Sequence, residues 1–185
     1  PHLPVQIDTM YQMITTSGFG NSDITKTYSY EGGNYYFNTN LDRRLSGFGK
    51  VSVSDGITKT TNYYHQGDTT NTLLGEYEDH PSKIGKIYRT EVADSSGNIY
   101  QKTINKWDKY NQGEGRDFVK LSKSVIATHD GNNTHKDKAE EYIYNNTDGN
   151  LNQKISWGEV AAGDDGSFTD VGNDKFVENI SYTVN

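Results

Sequence analysis

The sequence predicts an all-β protein of long antiparallel hairpins in a meandering, twisted sheet, and three observations carry that prediction. The first is composition: of 185 residues only 31% are apolar, while 14 Tyr, 19 Thr, 18 Asn and 19 Gly are present. Tyr and Thr suit half-buried strands, and Gly and Asn suit turns. Ala and Leu, the principal helix formers, are scarce. The second is a ladder of turn signals, which from Gly97 onward fall near residues 97, 114, 131 and 149. That spacing leaves strands of roughly 10–13 residues, longer than the usual 5–6. The third is period-two alternation between the turns, the mark of a sheet with one dry and one wet face.

Along the chain, a first strand is expected from Val5 to Ile14, and Tyr28 and Tyr30 share a face of the next. Glu31-Gly32-Gly33 reads as a reversal, because glycine accepts the positive φ a tight turn needs. In Gly47-Phe48-Gly49 the glycines permit a bulge or a close backbone approach, and Phe48 is expected as a buried anchor. Further turns are read at Asp55-Gly56, Gly67-Asp68, Asp79-His80-Pro81, Asp94 to Asn98, Gly113 to Gly115, Asp130 to Asn132, Thr147 to Asn150, Asp164 to Gly166 and Gly172 to Asp174. Val119, Leu121, Val125 and Ala127 are expected on one strand face, as are Leu151, Ile155 and Trp157. Phe176, Ile180, Tyr182 and Val184 form the same pattern in the last strand. Lys136 to Tyr144 is compatible with a short helix, but its neighbours favour a strand. No linker-like stretch divides the chain, so residues 1–185 read as one domain. Beginning at Pro1, it reads as a piece excised from a larger protein.

The formal net charge is −7, with net −2 over residues 1–92 and −5 over 93–185. Without a basic stripe, nucleic-acid binding has no electrostatic driving force. No apolar run approaches the ~20 residues of a membrane-spanning helix. The absence of Cys removes disulfides, thiolate metal sites and Cys nucleophiles together.

Four blocks then stand out: TYSYEGGNYY at 27–36, DRRLSGFGKVSV at 42–53, TNYYHQG at 61–67 and IYRTEVADSSGNI at 87–99. Their order resembles the SpvB-like and toxin-complex B-component family, in the region adjoining the Rhs/YD-repeat shell. The resemblance covers about residues 3–108, and 109–185 carries YD-like hairpins, chiefly YIYNNTDGNL at 142–151. It implies a non-catalytic structural segment of a secreted or cell-surface bacterial shell that encloses a toxin cargo. The partners so implied are the rest of the parent polypeptide and an enclosed toxin effector; separately, unpaired backbone on the terminal strands, Val5–Ile14 and Phe176–Val184, predicts weak edge-to-edge association. The motif residues are Tyr28, Tyr30, Gly32, Gly33, Arg43, Arg44, Gly47, Phe48, Gly49, Tyr88, Arg89, Asp94, Gly97 and Asn98. Most also have an architectural reading. Arg43 and Arg44 can pair with acidic neighbours, and Asp94 can bond its own turn with Gly97 in the left-handed position.

Catalytic, cofactor and metal sites are not expected. His2, His65, His80, His129 and His135 form no metal-spaced pair, and there is no GxSxG elbow. The acidic turns at 146–150 and 164–170 lack EF-hand spacing and read as solvated. Glu140-Glu141 and Glu76/Glu78 read as solvated strand edges rather than a glycosidase pair. A second reading is a surface module that recognises glycan or protein through exposed Tyr, Trp107 and Trp157.

Overall fold

Strands β1 (Gln12–Thr15), β2 (Ile24–Phe37), β3 (Arg43–Ser54), β4 (Thr58–Tyr64), β5 (Ile87–Asp94) and β6 (Ile99–Asn111) are followed by β7 (Asp117–His129), β8 (His135–Tyr144), β9 (Leu151–Ala162), β10 (Phe168–Asp170) and β11 (Phe176–Asn179). Two 3-10 turns, Thr72–Leu74 and Pro81–Lys83, interrupt the segment between β4 and β5. This computed structural model describes residue 4 and residues 6–16, 18, 20, 22–111, 113, 116–131 and 134–183. The expected turn at 113–115 lies mostly outside the described residues, as do His2, Val5, Asn132 and Val184.

Each strand pairs antiparallel with the next from β1 to β10, and β11 joins β9 on the edge that β10 leaves free. The register aligns one continuous row across eight strands: Glu31, Lys50, Tyr63, Arg89, Ile104, Val125, Ala139 and Gly158. Along this row the cross-strand pairs change from charged and aromatic to apolar. Lys50 pairs with Glu31 at 2.9 Å, whereas Val125 and Ala139 join Val160 in the core cluster, with Trp157, Ala162 and Phe168 against it. The next row on the same face contains buried Ser52 and Thr61, whose hydroxyls meet at 2.9 Å.

Ladder slips skip Ser46, Tyr88, Tyr100, Ser122, Asn152 and Trp157 in the β2–β3, β4–β5, β5–β6, β6–β7 and β8–β9 registers. Each bulge adds local twist, so the long strands form a bent layer rather than a flat one. The bulges also break strict alternation. The single faces expected for Val119 to Ala127 and for Leu151 to Trp157 are interrupted at Ser122, Asn152 and Trp157.

Two segments lie over the Ile104 row. Gly75, from the segment between β4 and β5, and Gly166, from the β9–β10 turn, both pack on Ile104 so closely that a Cβ would stand 2.8 and 2.7 Å from its Cγ2. Lys123 Nζ donates to Tyr77 Oη at 2.8 Å, tying the first segment to β7. The buried apolar set is accordingly small: Tyr88, Ile104, Val125, Ala127, Ala139, Ile155 and Val160.

The 136–144 stretch is the strand its neighbours favoured, and β6 to β9 run 13, 13, 10 and 12 residues. Four expectations are corrected. The first strand, expected from Val5 to Ile14, is Gln12–Thr15. Gly32-Gly33 does not reverse the chain; it runs inside the 14-residue β2, with Gly33 opposite Phe48. Phe48 is in a strand but half-buried, packed beside the Tyr30 ring at 5.0 Å. The last strand is shorter than the expected 176–184, continued past Asn179 by Ile180 N–H donating to Asn152 O at 2.8 Å. Among the described residues no helix is long and apolar enough to cross a membrane.

Candidate functional site

The segment from His65 to Lys86 leaves the sheet between β4 and β5, and its neck is closed by backbone bonds. His65 N–H donates to Lys86 O and Gly85 N–H donates to His65 O, both at 3.0 Å. Immediately after the neck, Gln66 turns its side chain back onto the sheet. Its Nε2 donates to Gly32 O at 2.6 Å and to Gly47 O at 3.2 Å. The glycines make room for this: a Cβ on Gly49 would stand 2.7 Å from Gln66 Oε1, and Gly32 has φ +64°. The YEGG and GFG blocks therefore form one seat for the glutamine of YHQG.

Beneath that seat lies a buried polar cluster. The side chains of His65, Glu76 and Asp79 are 0, 3 and 1% exposed. His65 Nδ1 stands 3.0 Å from Asp79 Oδ1 and 3.1 Å from Glu76 Oε1. Backbone amides orient both carboxylates. Asp79 Oδ2 accepts from Gln66, Gly67 and Thr69 N–H at 3.2, 2.6 and 3.2 Å, and its Oδ1 accepts from His80 N–H at 2.8 Å. Glu76 Oε2 accepts from Asn71 N–H at 2.7 Å. Burial alone would lower the His65 pKa, but the bond to Asp79 and the nearness of Glu76 raise it above the ordinary value. Burial would likewise raise Asp79, and His65 with the backbone amides holds it below the usual carboxylate range. Lys83, whose Nζ donates to Glu78 O, is lowered by burial.

Tyr88 and Arg89 are adjacent in β5, yet both are buried, at 4 and 3% exposure. The bulge explains this: Tyr63 pairs with Arg89 and Tyr64 with Ile87, so Tyr88 is left to pack on the His65 ring at 5.3 Å. Arg89 Nε donates to Glu91 Oε1 at 2.7 Å, while Nη1 donates to Asp164 O at 2.9 Å and Leu74 O at 3.3 Å. One guanidinium thus holds both covering segments against the sheet. Tyr63 Oη donates to Glu91 Oε2 at 3.1 Å, and burial together with that carboxylate pushes its pKa up to about 12. An open groove of about 490 Å³ runs above the cluster, lined by Gly49, Gln66, Thr70, Leu73, Glu76 and Tyr88 among others.

Of the motif residues, Tyr30, Gly32, Gly33, Gly47, Phe48, Gly49, Tyr88 and Arg89 gather around this junction. Tyr28 anchors the edge, its N–H donating to Tyr11 O at 2.8 Å. Arg43 and Arg44 lie apart at the exposed start of β3, where Arg44 pairs with Asp42 at 2.9 Å. Asp94, Gly97 and Asn98 form the β5–β6 turn: Asp94 Oδ1 accepts from Ser96 and Asn98 N–H at 2.8 and 2.9 Å, and Gly97 has φ +90°. The acidic turns are occupied by their own chain. Asp165 Oδ1 accepts from Ser167 N–H at 3.0 Å, Asp148 Oδ1 from Asn150 N–H at 2.9 Å, and Asp164 pairs with Lys102. The sequence reading missed His65, Glu76 and Asp79 as a group, for they sit in an irregular segment with no period to reveal which side chains turn inward.

The fold is thus a single antiparallel layer of long, bulged strands, covered on one face by its own loops. No family model matches the chain, and no curated protein matches it. Among solved structures, the crystal structure of TcdB2-TccC3 without its hypervariable C-terminal region is similar, with a TM-score of 0.62 over 81% of this chain at 14% identity. The chain spans about 10% of the length of that polypeptide, and the likeness is one of fold.

Proposed function

We propose that this chain is a non-catalytic segment of a secreted, SpvB-like or toxin-complex-like shell, in which the sheet forms part of a wall around a toxin cargo. The observation that carries this reading is the single layer that, among the described residues, ends in edge strands on both sides. The outer edge of β1, and the edge formed by β10 and β11, are suited to continue into strands of a longer polypeptide. The polar groups at the junction support a mechanical role, because Gln66 and Arg89 tie the covering segments to the sheet. The binding-module reading gains little support from the indoles. Trp107 Nε1 donates to Ile87 O at 2.8 Å, and Trp157 Nε1 to Glu141 Oε2 at 3.0 Å with Lys175 Nζ 3.6 Å over its ring.

Electron cryo-microscopy of the intact polypeptide that contains this segment tests the proposal. The expected result is that β1 and β9–β11 hydrogen-bond to strands outside residues 1–185 and that the sheet faces an enclosed volume. A structure in which the segment stands apart, with both edges closed by its own loops, would overturn it.

A further inference from the structure

We propose that His65, Glu76 and Asp79 bind a divalent transition-metal ion that fastens the 65–86 segment onto the sheet. Among the described residues, these three bring a histidine nitrogen and two carboxylate oxygens within 4.8 Å of one another. The hydrogen-bond balance points to an ion. Nδ1 carries at most one hydrogen, yet two carboxylate oxygens face it at 3.0 and 3.1 Å. Asp79 takes that hydrogen, and Glu76 Oε1 is left buried with no hydrogen-bond donor. A buried carboxylate oxygen without a partner is costly. Protonating His65 would add a charge but no second hydrogen on Nδ1. His65 Nε2 is buried without a partner with or without an ion, so it does not discriminate between the two.

The second shell is already built. Glu76 presents Oε2 to the Asn71 N–H and leaves Oε1 directed at Nδ1; Asp79 Oδ2 takes backbone amides, and its Oδ1 faces Nδ1 while also accepting from His80 N–H. Such outer contacts fix ligand orientation. The separations of 3.0 and 3.1 Å between Nδ1 and the two carboxylate oxygens match adjacent corners of a site with metal–ligand distances of ~2.0–2.2 Å. Imidazole with two carboxylates suits zinc or a neighbouring first-row ion, whereas calcium and magnesium prefer oxygen alone. Two carboxylates and a neutral imidazole supply the charge that balances a dication. The ligands come from the neck of the segment and from its inner turn, so the ion acts as a clip.

The test adds zinc, and cobalt(II) as a spectroscopic probe, to the chelator-washed full chain. The expected result is one equivalent bound per chain, a saturable rise in Tm, and a zinc-dependent shift of the His65 Nδ1 resonance in 15N spectra. Glu76→Gln keeps an oxygen for the Asn71 amide and should weaken zinc binding by about 100-fold, with His135→Ala leaving it unchanged. Binding that survives Glu76→Gln, or that disappears with His135→Ala, would mark an adventitious ion at the His129/His135 pair and overturn the proposal. Absence of binding would also overturn it. Should Glu76→Gln fail to fold, the wild-type Nδ1 resonance decides: movement with zinc supports the site, and no movement refutes it.

Discussion

Replacing Gly49 with Ala isolates the seat of Gln66. The φ of Gly49 lies outside the left-handed region, so its backbone accepts Ala without strain. The new methyl, however, would meet Gln66 Oε1 at 2.7 Å and Cδ at 3.1 Å. Gln66 must therefore swing away and give up its bonds to Gly32 O and Gly47 O. At about 1 kcal/mol per net hydrogen bond, the loss is about 2 kcal/mol. Replacing Gly with Ala also stiffens the unfolded chain, which returns about 0.4–1 kcal/mol. The net expectation is a destabilisation of about 1 kcal/mol, or a Tm lower by roughly 2–4 °C for a chain of this size. In a Gln66→Ala background the methyl meets nothing it must displace, so the same substitution should become neutral or stabilising by about 0.5 kcal/mol. Urea unfolding of the four proteins of this cycle, with unchanged m-values, gives the coupling directly. An equal cost for Gly49→Ala in both backgrounds would refute the reasoning.

Gly158→Ala should destabilise the C-terminal edge by about 2 kcal/mol or more. Gly158 has φ +67°, and a Cβ there would overlap the Asp174 carboxylate, which receives Glu159 N–H at 3.0 Å. Faster amide exchange confined to Glu159 and Ile180 is the expected readout, and unchanged protection would count against it. Alkaline titration should lower stability between pH 10 and 12. Tyr63 and Tyr142 have folded pKa values pushed up to about 12, by burial first and by Glu91 and Glu140 second. The neutral phenols are thus favoured in the fold; their contribution is intact below the ordinary value near 10 and is lost as pH rises through the folded value. Phenolate absorbance showing every Tyr ionising in one step near pH 10 with the fold intact would contradict this. Finally, Phe176 and Val177, 65 and 41% exposed on the outer edge, should support weak self-association that strengthens with salt. Residues 155–185 carry a local net charge of −5, whose repulsion reaches only about 8 Å at physiological salt. Val177→Lys should abolish the association in sedimentation, and strict monomers across salt and concentration would remove its basis.

What was legible in the sequence was local. Strand type and length follow from side chains that repeat every second residue, and the turn at Asp94 to Asn98 follows from an Asp that caps its own backbone. The grouping of YEGG, GFG and YHQG was visible as a succession of blocks, though not as one seat. Gly32-Gly33 was misread because a glycine pair that opens a turn and one that clears space for an incoming side chain look the same along the chain.

By itself, then, the sequence determined that this protein is a layer of long antiparallel strands, since alternation, propensity and turn chemistry act within a few residues. Tertiary structure decided where the layer bends and what its few buried polar groups do. Gln66 reaches Gly32 from 34 residues away, and Arg89 collects carbonyls from 15 and 75 residues away. His65, Glu76 and Asp79 meet only because an irregular segment folds back over the sheet. Burial and pairing at such distances depend on the register of the strands between, and bulges shift that register without a periodic signal in the chain.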